Sequence, residues 1–399
     1  MNILQICNKS PVPPKEGGPI AMYHLAHALI ENDCSVTVFA AHTPKYKPDK
    51  ESIEKYLSDN YTYYSSNIDT SIKISDALNS FVNNRSYHVE RFISENFKND
   101  LIKILKSKSF DVVIFETLYM TPYLSIVRKY SKAKCILRSH NIEHQIWERI
   151  TNNTKNPVKK LYLKQLTYAL KKYEKKMLEK YDAIACISPE EINYYFNFIK
   201  KTPVACVPFG IKKYAFNKKN AHNYQTNDFY TIGSMDWMPN QEGIKWFLDK
   251  VVPIIKTEHP EFKIHIAGRN IPLWIYKYAD ENIQVVGEVD NVYEFAENKR
   301  GIIVPLFSGS GIRIKIIEAM AMGKIVISTS VGAEGIHFEH SKNILIANNE
   351  TEFVKAIKFC YENKLIASEI ALAGKRLVEN QHNYHNVNNS FQNLISACL

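Results

Sequence analysis

The segment 307–323 combines a glycine-rich turn with charged side chains at helical spacing. It lies between two apolar runs, 301–306 and 324–329, so the pattern predicts a strand, a turn, a helix and a second strand. Such a turn brings bare backbone amides and a helix N-terminus together, and anions such as phosphate bind there. The segment is therefore a candidate site for the phosphates of a nucleotide.

Three charged residues in the predicted helix suit that ligand. Lys315 and Glu318 are three residues apart and share one helix face, while Arg313 adds a second cation in the first turn. The lysine would meet a diphosphate, and the glutamate would meet ribose hydroxyls. A Lys/Glu pair at this spacing is also common on solvated surfaces, so this segment alone leaves both interpretations open.

Two motifs in the first half lie where α/β proteins bind polar ligands. Gly17 and Gly18 begin a predicted helix, where backbone can approach a phosphate, although Gly-Gly is more often an ordinary turn. His140 follows the predicted strand 134–139 at its carboxyl end, a position that suits a polar substrate. The alternative for His140 is a histidine bonded to backbone, and His144, one helical turn later, could serve the same purpose.

Absent motifs narrow the chemistry further. The sequence has no DxD, which argues against the carboxylate-bound divalent ion of one large class of sugar transferases. It also lacks HExxH, GxSxG and the P-loop, so a protease, an esterase or an NTPase is disfavoured. No GxGxxG directly follows the first predicted strand, which disfavours a NAD-linked dehydrogenase.

Composition is typical of a soluble globular protein, with 45% hydrophobic and 23% charged residues. The 399 residues exceed what one core usually organises, so we expect two domains. The seven cysteines are scattered, which favours free thiols in a reducing cytoplasm over disulfides or a metal site. The N-terminus does not resemble a signal peptide, and no apolar run approaches the ~20 residues of a membrane span.

Much of the net charge of +10 lies between Lys155 and Lys180. Apolar residues recur there at intervals of three and four, which predicts an amphipathic helix with a basic outer side. This side is either a solvated lysine face or a patch that holds the protein against anionic lipid headgroups. Nucleic acid is not expected as a partner, because no recognition module accompanies the charge.

Both halves of the chain alternate short β-rich runs with helical patterns, which predicts parallel sheets covered on both faces. We expect an α/β protein with two Rossmann-like, doubly wound domains that face an interdomain cleft. The predicted domains are 1–208 and 209–382, and a last helix in 383–399 packs back on the first domain. The polar interval 42–95 predicts a variable surface region.

The predicted strands of the first half are 2–7, 35–40, 111–115, 134–139, 182–187 and 204–207. Those of the second half are 229–233, 263–267, 283–286, 302–306 and 325–328. Helical patterns between them include 19–31, 96–106, 158–180 and 241–256.

With these pieces in place, the chain resembles a GT-B glycosyltransferase of family 4, the retaining, metal-independent type. The likeness covers nearly all of the chain, and its most specific parts are 233–240, 308–323 and 332–335. These parts are similar to the subgroup that acts in bacterial surface polysaccharide assembly. The resemblance implies GT-B architecture, a nucleotide diphosphate sugar as the donor substrate, and neither a cofactor nor a metal.

The resemblance also implies roles for particular residues. Gly17 and Gly18 would contact the phosphates or the sugar of the donor, His140 would contact a sugar, and Glu318 would bind the nucleotide ribose. With His140, the candidate catalytic residues are Lys315 and Arg313. Backbone groups of the turn and of the strand ends would hold the diphosphate, the sugar and the base at Gly233, Gly287, Val289, Gly309, Ser310, Gly311 and Ile312.

Two departures from the family pattern concern the donor. The family commonly has a second glutamate eight residues before the ribose-binding one, and here that position is Ser310. The family's Arg and Lys after the first strand of the second domain are also missing. Arg313 and Lys315 are candidates to supply that charge, and we favour Lys315, because both reach one diphosphate only if the helix end points at it.

The function implied is transfer of a sugar, with retention, to a hydroxyl of a glycan or a lipid-linked acceptor. We favour a front-face mechanism in which the leaving phosphate assists deprotonation of that hydroxyl. The protein would be cytoplasmic or peripheral at the inner face of the membrane. Three alternatives stay open. Two are other catalysts of the same fold, a nucleotide-sugar epimerase and a phosphorylase, and the third is a non-catalytic sugar-nucleotide binding protein, which the missing second glutamate at Ser310 suggests.

Overall fold

The computed structural model describes residues 1–83, 85–212, 215, 228–309 and 311–398. The chain forms two compact units. Unit 1 consists of Met1–Gly210 and Tyr384–Leu399, and unit 2 consists of Ile211–Asn383. Each unit is built on its own parallel sheet.

The sheet of unit 1 has seven parallel strands, and both of its faces are buried. The side chains of the first strand show this directly, since Ile3 and Cys7 lie in one hydrophobic core while Leu4 and Ile6 lie in the other. The strands are β1 (Asn2–Cys7), β2 (Ser35–His42), β3 (Tyr61–Asn67), β4 (Val112–Glu116), β5 (Lys134–Ser139), β6 (Ala183–Cys186) and β7 (Val204–Cys206). Their order is β3-β2-β1-β4-β5-β6-β7.

Helices cover both faces of this sheet. The last of them comes from the C-terminal end of the chain, and its Val387 and Phe391 share a core with Met22 and Leu25 of the first helix. The helices of unit 1 are Gly17–Ile30, Lys50–Glu54, Ile74–Val82, Tyr87–Glu90, Glu95–Ser107, Leu124–Tyr130, Glu143–Asn153, Pro157–Leu178, Pro189–Phe196 and Tyr384–Ser396, with a short 3-10 helix at Leu118–Tyr123.

Unit 2 repeats this architecture with six parallel strands in the order β10-β9-β8-β11-β12-β13. The strands are β8 (Phe229–Ile232), β9 (Ile264–Ala267), β10 (Ile283–Gly287), β11 (Gly301–Val304), β12 (Ile325–Ser328) and β13 (Leu345–Ile346). The helices are Met238–Lys250, Val252–Glu258, Leu273–Tyr276, Val292–Ala296, Ile314–Ala321, Glu350–Glu362 and Lys364–His382.

The prediction of two Rossmann-like domains with parallel sheets is therefore confirmed. Every predicted strand is present, with its ends within two residues of the prediction. The interval 42–95, predicted as a variable surface region, contains a strand that was not predicted, β3, which pairs with β2 along its whole length. This strand lies at the sheet edge, and its sequence mixes tyrosine with serine and asparagine, so an apolar strand pattern is missing.

The strand order places a ligand-binding edge in each sheet. The order reverses beside β1 in unit 1 and beside β8 in unit 2. In open parallel sheets, ligands bind outside the carboxyl ends of the strands at such a switch point. In unit 1 this edge carries the residues after β1, β4 and β5, and in unit 2 it carries those after β8 and β11.

Candidate functional site

The glycine-rich turn of unit 2 follows β11 and leads into the helix Ile314–Ala321. Gly309 and Gly311 have φ angles of 115° and 80°, which side chains other than glycine rarely adopt. A Cβ atom at Gly309 would also lie 2.7 Å from the ring of Trp237. The turn therefore needs glycine both for its backbone and for its close packing against Trp237, while Ser310 lies outside the described residues.

Arg313 ends this turn, whereas the sequence pattern had placed it in the first turn of the helix. Its backbone is extended, with φ −89° and ψ 96°, and the helix begins at the next residue. The buried guanidinium donates a hydrogen bond to the carbonyl oxygen of Gly311 and packs over the ring of Trp237, 5.1 Å from its centroid. Arg313 thus fixes the shape of the turn and adds positive charge beside it.

Lys315 connects the helix to the first strand of the same sheet. Its Nζ atom donates to the carbonyl oxygen of Ile232 and to Oδ1 of Asn240, each at 3.0 Å. Partial burial, followed by the nearby charge of Arg313, lowers the pKa of Lys315 to about 7. The amine lies directly beside Gly233, where the loop after β8 begins.

Glu318 is partly buried one turn further along the same helix. Burial raises the pKa of its carboxyl to about 7, although a hydrogen bond with Tyr293 opposes this shift. Within the described residues, Lys315 and Glu318 form no ion pair with each other, so the interpretation as a solvated surface pair does not hold. In the described part of the chain no cation pairs with this partly buried carboxylate, which is therefore suited to accept hydrogen bonds from a ligand's hydroxyls.

Glycines also line the neighbouring strand ends of unit 2. Gly233 follows β8, Gly268 follows β9, and Gly287 ends β10 with a φ angle of 93°. The amide of Gly268 donates to the carbonyl oxygen of Gly287 at 2.8 Å, and no side chain at Gly268 would fit against the backbone of Gly233. Val289 lies in the loop that follows Gly287. Glycine backbone is therefore the main feature of this edge.

A second cluster lies at the switch point of unit 1 and includes His140. Its Nε2 atom is hydrogen-bonded to Oε2 of Glu116, which ends β4 and is fully buried. Gln5 donates to the other oxygen of Glu116 at 2.6 Å, and Nη1 of Arg138 stands 3.4 Å from that oxygen. Burial would raise the pKa of Glu116, but Arg138 and the hydrogen bonds outweigh it and hold this pKa at about 2.

Gly17 and Gly18 lie at the same edge, at the start of the helix Gly17–Ile30. A Cβ atom at Gly18 would lie 3.1 Å from Cε of Lys9. The amine of Lys9 is 3.4 Å from Oε2 of Glu16 and 4.4 Å from the ring centroid of Tyr46. Unit 1 therefore brings a glycine helix start, a lysine and His140 to one edge of its sheet.

His144 does not share the position of His140. Its Nδ1 atom bonds to Oε2 of Glu174 at 2.6 Å, and its Nε2 atom bonds to the hydroxyl of Tyr194 at 3.1 Å. The backbone amides of Glu143 and His144 donate to the same Glu174 carboxylate. Both ring nitrogens are thus used inside unit 1, and Glu174 caps the helix that begins at Glu143.

The structure groups the predicted site residues by unit. Gly233, Arg313, Lys315 and Glu318 meet at one edge of unit 2, and Gly17, Gly18 and His140 lie at one edge of unit 1. Sequence reasoning missed two residues of these clusters, Lys9 and Glu116, although each follows a predicted strand at the ligand-binding edge.

Two protein-family models match the chain and together span most of both units. The model described as Glycosyltransferase Family 4 matches residues 16–213, and that described as Glycosyl transferases group 1 matches residues 226–363. The chain is a GT-B glycosyltransferase of the family 4 type. A Klebsiella pneumoniae relative of this glycosyltransferase is described as an uncharacterized 44.6 kDa protein in the cps region. It is 26% identical over 308 residues, which are 72% of this chain and 74% of the relative.

Solved GT-B structures share the fold of this glycosyltransferase along its whole length. Anabaena Alr3699/HepE in complex with UDP and glucose is 11% identical, with a TM-score of 0.64 over 98% of this chain and 99% of that one. Sucrose-phosphate synthase from Thermosynechococcus elongatus is 15% identical, with a TM-score of 0.70 over 100% of both chains. At these identities the likeness shows the fold alone.

Two properties of the described residues bear on possible partners of this glycosyltransferase. No helix among them combines the length and apolar character that crossing a bilayer requires. In the same part of the chain, no three His, Cys, Asp or Glu side chains are grouped so that they could hold a metal ion.

Proposed function

We propose that this glycosyltransferase moves a sugar from a nucleotide diphosphate sugar to a hydroxyl of a glycan or a lipid-linked acceptor in surface polysaccharide synthesis. The observation that carries the proposal is the position of Lys315. Its amine joins the helix after the glycine-rich turn to the end of β8, next to Gly233. The relative encoded in a Klebsiella pneumoniae cps region supports the polysaccharide role.

We assign each group of the donor to residues at the edge of unit 2. Backbone amides of the turn at Gly309, Gly311 and Ile312 would meet the diphosphate, with Lys315 as the cation. Glu318 would accept hydrogen bonds from the ribose hydroxyls. The base would lie against the backbone near Gly287 and Val289. A nucleotide donor is also supported by Anabaena Alr3699/HepE, which has this fold and has been solved in complex with UDP and glucose.

Departure of the diphosphate builds negative charge on its oxygens. Lys315 would be protonated when the donor is bound, because the phosphate charge opposes the burial that lowers its pKa. A cation and amide dipoles already aimed at the leaving group stabilise the transition state without reorganisation and contribute several kcal/mol. This arrangement would perform the role that a divalent ion has in other sugar transferases, so we propose that the reaction needs no metal.

Retention at the anomeric carbon follows from the same proposal. In a front-face transfer, the acceptor hydroxyl attacks from the side of the departing diphosphate, and a phosphate oxygen takes its proton. No carboxylate pair among the candidate site residues is placed to act as a double-displacement nucleophile, so the front-face route is the one we favour. His140 and the Gly17–Gly18 helix start in unit 1 would then contact sugar or phosphate groups.

The test is transfer by the purified full chain. We expect the protein, incubated with a panel of nucleotide sugars and with lipid-linked saccharides from a bacterial envelope, to release nucleoside diphosphate and to extend the acceptor. EDTA should leave the rate unchanged, and NMR of the product should show the anomeric configuration of the donor. Binding of nucleotide without transfer to any acceptor would favour the non-catalytic alternative, and a changed donor without acceptor would favour an epimerase.

The acceptor side of this proposal includes a membrane surface. The helix Pro157–Leu178 exposes Val158 and Leu161, which are 79% and 71% solvent-accessible. Exposed lysines lie on the same stretch of helix at 159, 160, 164 and 172. Apolar side chains among lysines fit the headgroup region of an anionic bilayer, where a lipid-linked acceptor would be found.

A further inference from the structure

Glu116, at the end of β4, makes a shorter hydrogen bond to His140 than to Arg138 beside it. Oε2 of Glu116 makes a short hydrogen bond to Nε2 of His140, and Oε1 accepts from Gln5 at 2.6 Å. Nη1 of Arg138 stands 3.4 and 3.5 Å from the two oxygens and makes its shorter bond, 3.0 Å, to the carbonyl oxygen of Ala21. Charge balance with Arg138 alone therefore does not explain the geometry of Glu116.

Glu116 can only accept hydrogen bonds, because it is ionised. Arg138 and the hydrogen bonds from His140 and Gln5 hold its pKa at about 2 despite complete burial. The Nε2 atom of His140 must then carry the hydrogen that joins the two side chains. Which nitrogen of His140 is protonated is thus decided by Glu116.

The surroundings of His140 lower its pKa and so favour the neutral imidazole. Burial lowers its pKa first, and the charges of Arg138 and Lys9 lower it further, against the opposing effect of Glu116. A neutral imidazole with its proton on Nε2 has a lone pair on Nδ1. Within the described residues nothing in the chain bonds to Nδ1, so this nitrogen is left for a ligand.

We propose that Glu116 is a positioning residue that fixes His140 as the neutral Nε2–H tautomer and so presents Nδ1 as a hydrogen-bond acceptor to a substrate hydroxyl. The hydroxyl donates its hydrogen to Nδ1, and no covalent bond forms or breaks. The substrate part of the inference rests on the proposed function, since a sugar supplies the hydroxyl. The tautomer itself is a property of the protein without substrate.

The surrounding hydrogen bonds predict what a neutral substitute would do. Both hydrogens of the Gln5 amide are used, one toward Met22 at 3.0 Å and one toward Oε1 of Glu116. In a Glu116→Gln variant, the new amide oxygen must therefore face Gln5, and the new NH2 group must face Nε2 of His140. That nitrogen then has to accept, so the ring proton moves to Nδ1.

The experiment is 15N NMR of the full chain with labelled histidine, without substrate. The signals of His140, one of 13 histidines, are assigned by their loss in a His140→Gln variant. We expect His140 of the unchanged protein to be neutral with Nε2 protonated, and the Glu116→Gln variant to carry the proton on Nδ1. Glu143→Gln is the matched control, because this buried glutamate bonds to Tyr119 instead and should leave the His140 signals in place.

Two results would overturn the inference at this stage. One is a charged or Nδ1-protonated His140 in the unchanged protein, and the other is an unchanged tautomer in Glu116→Gln. If Glu116→Gln does not fold because Arg138 loses its buried counter-charge, Glu116→Asp keeps that charge on a shorter side chain. We expect the Asp variant to populate both tautomers, and a single Nε2–H tautomer there would count against the inference.

The kinetics of sugar transfer then show whether Glu116 acts by orienting His140 or only by stabilising the fold. Once the donor and acceptor are known, we expect Glu116→Gln to lower kcat/KM about tenfold, roughly the effect of one hydrogen bond, with the melting temperature recorded in parallel. Glu116→Asp should recover part of the loss. If Glu116→Gln folds, carries the ring proton on Nδ1 and has an unchanged kcat/KM, the substrate contact is refuted. If the unchanged protein transfers no sugar at all, the proposed function is refuted and the tautomer result still stands.

Discussion

Glu318, at the edge of unit 2, is buried in a way that lowers the stability of the folded protein when its carboxyl is ionised. Its pKa is about 7 in the folded protein, above the ordinary value of 4.5, because burial disfavours the charged carboxylate. The folded state therefore binds this proton more tightly than the unfolded state. The stability that the protonated group contributes is complete below pH 4.5 and is lost as the pH rises through about 7.

A Glu318→Gln variant should therefore be more stable than the unchanged protein at pH 8, by roughly 1–3 kcal/mol. Glutamine resembles the protonated carboxyl and carries no burial penalty for charge. The gap should shrink as the pH falls from 8 toward 5, which melting curves across this range would show. Glu362→Gln is the control, because it makes the same substitution at an exposed glutamate away from the glycine-rich turn. A variant that is less stable at pH 8 would contradict the assignment.

The same substitution should weaken nucleotide binding. Hydrogen bonds to a charged group contribute about 1.5–3 kcal/mol, so we expect the Kd for the preferred nucleoside diphosphate to rise about 10- to 100-fold in Glu318→Gln. Isothermal titration calorimetry at pH 8 measures this change. An unaltered Kd would mean that the ribose does not meet Glu318.

Lys315 makes a second residue-scale prediction, about charge. With a pKa of about 7 in the free protein, its amine must take up a proton when a diphosphate binds above that pH. Above about pH 8, where Glu318 with its pKa of about 7 is already ionised, nucleotide affinity should therefore fall by up to tenfold per pH unit, and binding should be accompanied by proton uptake from the buffer. Calorimetry in buffers of different ionisation enthalpy measures that uptake.

A Lys315→Met variant keeps much of the volume and removes the amine. We expect it to lose the fall in nucleotide affinity at alkaline pH and to lower kcat about 10²- to 10³-fold, because the leaving diphosphate loses its cation. Lys245→Met is a control, since this exposed lysine pairs with Asp249 away from the turn. Unchanged turnover in Lys315→Met would refute the charge-stabilising role.

The role of a single residue can be predicted from the sequence when the residues it contacts are its neighbours in the chain. Lys315 and Glu318 were placed on one face by helical spacing, and the glycine turn by its composition. Arg313 was predicted in the first helical turn, but it is the residue that precedes the helix, where an extended backbone is usual. Glu116 was not predicted, because its partners Gln5 and His140 come from different strands and only the sheet register brings them together.

The helix Pro157–Leu178 shows what one element adds to the molecule. Asn156 caps its first turn by accepting from the amide of Lys159 at 3.0 Å, and Pro157 occupies the first helical position, where a missing N–H costs nothing. Its inner side chains, such as Leu166 and Leu170, are buried. The opposite side exposes Val158 and Leu161 among lysines.

We expect the full chain to bind, through this helix, to vesicles that contain anionic lipid and not to vesicles of neutral lipid. The binding should weaken at high salt, since each lysine near the surface contributes about 1 kcal/mol through screened attraction. A Val158→Ser, Leu161→Ser double variant should reduce vesicle binding at least about tenfold, because it removes the inserted apolar area. Co-sedimentation measures both effects.

The control for this experiment is Leu365→Ser, which removes an equally exposed leucine, 81% accessible, from unit 2. That variant should bind vesicles as the unchanged protein does. Equal binding to neutral and anionic vesicles, or equal loss in both variants, would assign the lysines to an ordinary solvated face.

Elements were predictable where burial imposes a regular pattern. The central strands of both sheets are buried on two faces and are nearly continuous in apolar residues, so their ends were close to the prediction. The predicted helix 241–256 is instead two helices, Met238–Lys250 and Val252–Glu258, separated by Val251. The second helix has Pro253 in its first turn, where a proline is tolerated, whereas it would break the interior of one long helix. β3 was missed because an edge strand needs few apolar residues.

The whole molecule consists of two units, each with a core of its own. Phe391 comes from the end of the chain and is fully buried in a core of unit 1 with residues of β1 and the first helix. Phe353 is fully buried in the core of unit 2. The alternation of strands and helices predicted two such sheets, but which buried side chains share a core depends on strand order, which no local pattern encodes.

These two phenylalanines allow the units to be perturbed one at a time. Removing a buried phenylalanine side chain costs about 3–5 kcal/mol, so Phe391→Ala should lower the melting temperature of unit 1, and Phe353→Ala that of unit 2. A bound nucleoside diphosphate stabilises only the state that binds it and should raise the transition of unit 2. In calorimetric scans we therefore expect Phe391→Ala to separate two transitions, with the nucleotide affinity unchanged within about twofold. Movement of both transitions together in Phe391→Ala would show instead that the units unfold as one and that nucleotide binding is not a property of unit 2 alone.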